Sequence, residues 1–298
     1  MTTPRNDVYA RVTQSIVSQL ERGVRPWQQP WSGEHAAGRI ARPLRSNGTP
    51  YKGINVLMLW QAAEEHGFAS PVWYTYRQAK ELGGQVKAGS KGSLVVYADR
   101  MTKTETGSDG KEAERDIYFM KGYTVFNLDQ VEGLPTDRYA PSTPPIDEIE
   151  RLAEADIFFE YTGAEIRHGG NRAFYTPAGD FIQVPYLMAF RDAESYAATV
   201  AHELTHWTKH ESRLNRDFGR KRFGDEGYAM EELVAEIGSA FLCCDLAITP
   251  EVRDDHAAYL DSWLRVLKAD NRAIFQAAAH AQRAADYLHA LQPQAVAA

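Results

Sequence analysis

Three residues of this 298-residue chain have the types and the spacing that metal chemistry on a helix requires: His202, Glu203 and His206. At 3.6 residues per turn, positions four apart stand above one another, so the two imidazoles address one point while Glu203 lies beside them. Neutral imidazole nitrogens suit Zn²⁺, and a catalytic zinc keeps three protein ligands and leaves the fourth position to water, whose pKa falls to about 7 on the metal. Glu203 then has the place of a general base. The same spacing arises by chance on surface helices, but here the segment from Ala197 to Trp207 is mostly apolar or small around the three polar residues. That pattern predicts a buried helix, and buried charge is costly unless it is paired or holds a metal.

A third ligand must come from another element. Downstream, Tyr228 to Leu242 reads as a helix: Leu233, Ile237, Ala240 and Phe241 recur at helical spacing, while Glu232 and Glu236 share a face four apart. Glu232 is the chosen ligand and Glu231 its rival. Glu236, one turn on, is placed to hydrogen-bond a ligating histidine and fix its tautomer. One branch of zinc proteases extends the motif with a glycine three residues after the second histidine and a third histidine three beyond that. Lys209 and Ser212 occupy those places, so His210 reads as an ordinary helix-end histidine. The expected cofactor is Zn²⁺, with Mn²⁺ or another divalent ion as substitutes, because ligand type does not fix the metal uniquely.

The size and the 44% hydrophobic content suffice for one large core or two modest ones, and the length favours two domains. No apolar run approaches the 18 or more residues of a membrane span, and Met1 to Asp7 lack the hydrophobic stretch of a signal peptide. The expected setting is the cytoplasm, with no membrane partner. Cys243 and Cys244 are adjacent within a predicted helix and read as packed thiols rather than a disulfide. The net charge of −7 hides an asymmetry: residues 1–100 carry 13 Lys/Arg against 7 Asp/Glu, and the remainder 20 against 33. The two halves are expected to meet different partners.

The basic half begins with an amphipathic helix from Asp7 to about Arg22, on which Val8, Val12, Ile16 and Leu20 recur every four residues. Pro26 and Pro30 then bracket an extended segment that presents Trp27 and Trp31. Arg25, Arg39, Arg42, Arg45, Tyr51 and Lys52 surround the start of a second helix, Ile54 to Glu65, and Trp73, Tyr74, Arg77, Lys87 and Lys91 continue the alternation of rings and cations. Single-stranded nucleic acid calls for this combination, since bases stack on aromatic faces at about 1–3 kcal/mol each while Lys and Arg track the phosphates. These thirteen residues are therefore the candidate contacts to single-stranded DNA.

Apolar runs at 93–98 and 117–126 predict strands joined by a mobile hairpin loop from Thr102 to Arg115. The predicted fold class is α+β in two domains, residues 1–130 and 146–298, separated by a Pro-rich linker at 131–145. The second domain reads as a short helix near 146–155, strands around 164–167, 172–176 and 180–184, the histidine helix, the glutamate helix, and helices around 252–268 and 272–290. The strand around Phe181–Val184, next before the histidine helix, is expected to offer an edge to an extended peptide.

With these elements placed, the chain resembles ArdC-type antirestriction proteins along nearly its whole length. The N-terminal region resembles the family's single-stranded DNA-binding module at Tyr9 to Val12, Pro26-Trp27 with Pro30-Trp31, Tyr51 to Asn55 and Lys91-Gly92. The C-terminal region resembles its zincin-like metallopeptidase module at His202 to Trp207, Arg213-Leu214 and Glu231 to Glu236. The resemblance implies a plasmid or mobile-element setting and protection of incoming DNA from host restriction enzymes. It leaves two readings open: a zinc peptidase held on DNA that cleaves a neighbouring protein such as a restriction enzyme, or a DNA-occupying protector whose metal centre is structural.

Overall fold

The computed structural model describes residues 7–27, 42–106, 112–134, 148–219, 225–248 and 257–293. The fold is α+β. In the N-terminal part, helix α1 (Val8–Leu20) and helix α2 (Ile54–His66) pack beside a sheet of β1 (Leu44–Arg45), β2 (Val72–Tyr74), β4 (Ser93–Thr106) and β5 (Glu112–Asn127), ordered β1-β2-β5-β4. A short helix α3 (Tyr76–Glu81) leads into β3 (Gln85–Val86), which pairs antiparallel with β6 (Val131–Glu132). Two expectations change here. The segment Thr102 to Arg115 is not simply a loop: β4 and β5 stay in register out to the Thr106–Glu112 pair. Residues 131 and 132, expected to open the linker, complete a two-stranded sheet of the N-terminal part, and Leu134 is buried in the cluster beneath it; residues 135–145 of the expected linker lie outside the described residues.

In the C-terminal part, helix α4 (Glu148–Tyr161) precedes β7 (Glu165–His168), β8 (Phe174–Thr176) and β9 (Phe181–Val184), followed by helices α5 (Ala193–Trp207), α6 (Glu226–Asp245), α7 (Ala257–Ala269) and α8 (Ala273–Ala290). The sheet order is β7-β9-β8, with β9 parallel to β7 and antiparallel to β8. Phe181–Val184 is thus the central strand, with both sides of its backbone already paired, and offers no edge to a peptide; the edges belong to β7 and β8.

One hydrophobic core runs through both parts. Trp60 of α2 meets Phe241 of α6 edge-on with centroids 5.9 Å apart, Trp27 meets Trp263 of α7 at 5.8 Å, and Tyr9 of α1 meets Phe275 of α8 at 4.7 Å. Alanines 277, 278, 281, 284 and 285 of α8 are all buried, and such small side chains let neighbouring helices approach closely. Polar contacts tie the same interface. Arg42 donates two bonds of 2.8 Å to the Asp245 carboxylate and lies over the Phe241 ring, and Thr13 donates to the carbonyl of Asn271 at 2.7 Å. Burial opposes ionisation of Asp245, but bonds from His289 and Arg42 hold its carboxyl below the usual carboxylate range.

Candidate metal centre

Helix α5 begins at Asp192, whose carboxylate accepts from the Ser195 N–H at 2.7 Å and so satisfies one of the amides left open by the first turn. Its far end is closed by two guanidiniums. Arg213 donates to the Trp207 carbonyl at 2.7 Å, stacks 3.8 Å over the Trp207 ring and pairs with Asp180 in the β8–β9 turn. Arg216 donates to the Thr205 carbonyl at 2.9 Å. Cations at this end complement the helix dipole and occupy carbonyls that have no partner within the helix.

Helix α6 lies against α5 because Gly238 has no side chain: a Cβ there would stand 2.5 Å from the Thr205 methyl carbon. That approach brings three carboxylates of α6 to the two histidines of α5. Glu232 faces both imidazoles, 3.7 Å from His202 Nε2 and 3.5 Å from His206 Nε2. The outer nitrogens have their own partners: Glu236 lies 3.4 Å from His202 Nδ1, and Glu231 lies 2.9 Å from His206 Nδ1. Glu203 is buried on α5, within the same helical turn as the histidines.

Donor atoms of His202, His206 and Glu232 all lie within 4.8 Å of one another. The donors of a tetrahedral ion bound at about 2.1 Å stand about 3.4 Å apart, so the observed spacings of 3.5 and 3.7 Å fit a divalent ion. The electrostatics agree with that fit. Burial works against ionisation of Glu232, yet the two histidines hold its carboxyl well below the usual range. Burial likewise works against a charged His206, yet Glu232 and Glu231 raise its pKa. A site that draws positive charge this strongly, through two imidazoles and a carboxylate, has the donor set of a zinc or manganese centre.

The geometry separates the adjacent glutamates. Glu232 converges with the inner nitrogens, whereas Glu231 holds the outer nitrogen of His206 and is itself held by Arg216, which donates to both its oxygens at 2.8 and 2.9 Å. Although burial alone would raise the Glu231 pKa, the bonds from Arg216 and His206 pull it to about 2. His210 is half-buried and bonds Ser212 at 2.8 Å. Sequence reasoning gave no role to Arg216 or to the tyrosine one turn before Glu232. Tyr228 shares a 3.1 Å bond with Tyr259 of α7, and its pKa is raised by burial and then by the Glu232 charge. A buried arginine looks like a surface one in sequence. The available signal was its place in the first loop after the histidine helix, where a cation meets open carbonyls.

The candidate DNA contacts fare differently. Trp27, Tyr51, Trp73 and Tyr74 are core residues, exposed by 1%, 3%, 1% and 0%, so their faces are closed to bases. The reason is topological for β2: it lies between β1 and β5, with Trp73 in the main core and Tyr74 in a smaller cluster with Ala79, Val86, Val131 and Leu134. Arg42 is spent on Asp245, its side chain 9% exposed. Arg25 is half-buried. Arg45, Lys52, Arg77, Lys87 and Lys91 are exposed: Arg45 lies over Tyr51, Lys52 pairs with Asp286, Arg77 with Glu81, and Lys87 donates to the Asp129 carbonyl. Trp31 and Arg39 lie outside the described residues.

A helix bearing two histidines four apart, set on a small mixed sheet and faced by a second helix with a third donor, defines a zincin-like domain. The family model for zincin-like metallopeptidases matches residues 153–280, and that for the N-terminal domain of anti-restriction factor ArdC matches residues 6–126. With both halves matched, the chain belongs to the ArdC antirestriction family. It is 47% identical to the antirestriction protein ArdC of plasmid R388 in its metal-free crystal structure, with a TM-score of 0.81 over 96% of this chain and 97% of that one. Against the Mn(II)-bound crystal structure of the same protein the identity is 46% and the TM-score 0.77, over 96% and 98%. The uncharacterised protein y4eC of Sinorhizobium fredii is 40% identical over 99% of this chain and 97% of its own length. The DNA primase TraC of Escherichia coli is 37% identical over 99% of this chain, which spans 28% of TraC. Among the described residues no helix is long and apolar enough to cross a membrane.

Proposed function

We propose that this chain is a cytoplasmic antirestriction protein of a plasmid or mobile element, which binds single-stranded DNA and hydrolyses peptide bonds at a zinc centre held by His202, His206 and Glu232. The observation that carries the reading is the convergence of Glu232 on the inner nitrogens of two histidines whose outer nitrogens are each faced by a further carboxylate. A bound divalent ion supplies Lewis-acid polarisation of a carbonyl. The chain supplies the rest: Glu236 and Glu231 orient the imidazoles, and Glu203 takes the proton of the attacking water and passes it to the leaving amine. A host restriction enzyme is the protein substrate this setting favours.

For DNA, the exposed cations Arg45, Lys52, Arg77, Lys87 and Lys91 are, among the described residues, the contacts that remain once the buried rings Trp27, Tyr51, Trp73 and Tyr74 are set aside. Next to Lys91 in the chain, Gly92 lines a cleft of about 250 Å³ between α1, α2 and β4, together with Arg11, Ser15, Gln61, Glu65 and His66. The cleft joins two segments that carry the family resemblance, Tyr9 to Val12 and Lys91-Gly92.

The competing reading is a protector that acts by occupying DNA, with a structural metal. Against a structural metal stands the R388 relative, which was crystallised both metal-free and with Mn(II). Glu203→Gln separates the readings, because it removes the base and leaves the three ligands and the surface cations in place. Peptidase activity on restriction-enzyme subunits is expected to fall about 10²–10⁴-fold with metal content and DNA affinity unchanged. Wild-type protein that cleaves none of those subunits, together with a Glu203→Gln variant that protects DNA fully, would establish the occupancy reading instead.

A further inference from the structure

Helix α6 brings two adjacent glutamates to the histidines, and both carboxylates reach His206: Glu232 lies 3.5 Å from Nε2 and Glu231 lies 2.9 Å from Nδ1. What separates their roles is Arg216. Its Nε donates to Glu231 Oε2 at 2.8 Å and its Nη2 to Oε1 at 2.9 Å, a two-point pairing that fixes the plane of the carboxylate as well as its position. The guanidinium is fixed in turn by the end of α5. It donates to the Thr205 carbonyl at 2.9 Å and to the Thr208 hydroxyl at 3.1 Å, and that hydroxyl donates to the same Thr205 carbonyl at 2.6 Å. The Arg216 side chain is 1% exposed, so water cannot replace these bonds.

Resting on the metal-centre reading above, we infer that Arg216 is a positioning residue which withholds Glu231 from the metal, turns it onto the outer nitrogen of His206, and so keeps the protein ligands at three. The alternative arrangement is close at hand. A buried carboxylate that loses its cationic partner is strongly destabilised and moves towards the nearest positive charge. Among the described residues the next cation, Lys209, stands 3.8 Å from Glu231 and is more exposed, so a metal between the histidines is the competing attraction. Four protein ligands make a closed site, whereas three leave a position for water and substrate. Arg216 thus separates an open centre from a closed one, although it touches neither metal nor substrate.

The test uses the full chain loaded with Co²⁺, whose visible absorption reports coordination, alongside Mn²⁺ titration for affinity. Arg216→Met is expected to change the Co²⁺ spectrum, and Arg216→Met combined with Glu231→Gln to restore it, because the neutral amide no longer competes for the ion. Rescue by the second substitution is a signature that general loosening of the fold would not produce. A folded Arg216→Met protein with the wild-type spectrum and wild-type Mn²⁺ affinity overturns the inference. Should Arg216→Met fail to fold, Glu231→Gln alone is expected to keep the wild-type spectrum while weakening Mn²⁺ binding about 10- to 100-fold, through poorer orientation of His206. Unchanged affinity in that variant also overturns it. Wild-type protein that takes up neither Co²⁺ nor Mn²⁺ overturns the metal-centre reading itself, and the role of Arg216 with it.

Discussion

The N-terminal part of this molecule buries Trp27, Tyr51, Trp60, Trp73 and Tyr74 and leaves Arg45, Lys52, Arg77, Lys87 and Lys91 in water; the facing turns of α5 and α6 bury charges. The energetics of the two are opposite in sign. Removing a tryptophan from solvent contributes about 25 cal/mol for each Å² of apolar surface, so Trp27 and Trp73 are buried as any core residue is. Removing a carboxylate from solvent costs several kcal/mol, and Glu203, Glu231 and Glu236 are buried close together. A cluster of that kind persists only with cationic partners; Arg216 supplies part of the charge and the imidazoles the remainder, as ligands or as acids. Buried carboxylates therefore point to a function, whereas buried rings point only to a core.

Substitutions that exchange the two expectations test this contrast. The largest stability effect is expected from Trp73→Ala, which removes a fully buried ring in edge contact with Phe68. It should lower unfolding free energy by about 3–5 kcal/mol in denaturant titrations, and leave the DNA affinity of the folded protein unchanged. A loss of about 1–3 kcal/mol in DNA affinity at unchanged stability would return Trp73 to the role of base platform. Next comes Gly238→Ala. The added methyl meets Thr205 across the α5–α6 contact, so stability should fall by about 1–3 kcal/mol and metal affinity with it, as α6 and its carboxylates shift from the histidines. Lost stability with unchanged metal affinity would show that the centre does not depend on this close approach. The smallest effect is expected from Lys91→Ala at the surface. Stability should stay within about 0.5 kcal/mol, while the slope of log DNA affinity against log salt becomes shallower by about 0.7. An unaltered slope removes Lys91 from the DNA contacts.

These outcomes also bear on what a sequence can disclose. The pairing of His202 with His206, and of Glu232 with Glu236, follows from helical periodicity alone, and so does the position of Glu203. Their meeting across two helices required Gly238, whose role depends on Thr205, a residue 33 positions away that no local pattern identifies. The rivalry between Glu231 and Glu232 was undecidable for the same reason: its arbiter, Arg216, acts through a fold-dependent contact. Trp27, Tyr51, Trp73 and Tyr74 are core residues that the sequence reading places at a DNA surface, because composition reports which residues are present but not which face the interior. Trp73 and Tyr74, adjacent on β2, belong to two separate core clusters, a consequence of β2 lying inside a sheet. Likewise β9 reads as a strand from its residues, but its central place depends on β7 and β8 pairing with it from either side.

The central claim, that His202, His206 and Glu232 form one metal centre, is tested most directly by metal analysis of purified full-length variants dialysed against trace zinc. Wild type and Glu203→Gln are each expected to hold one zinc per chain, and folded Glu232→Ala to lose it. Full zinc occupancy in Glu232→Ala, or none in the wild-type protein, would contradict the account.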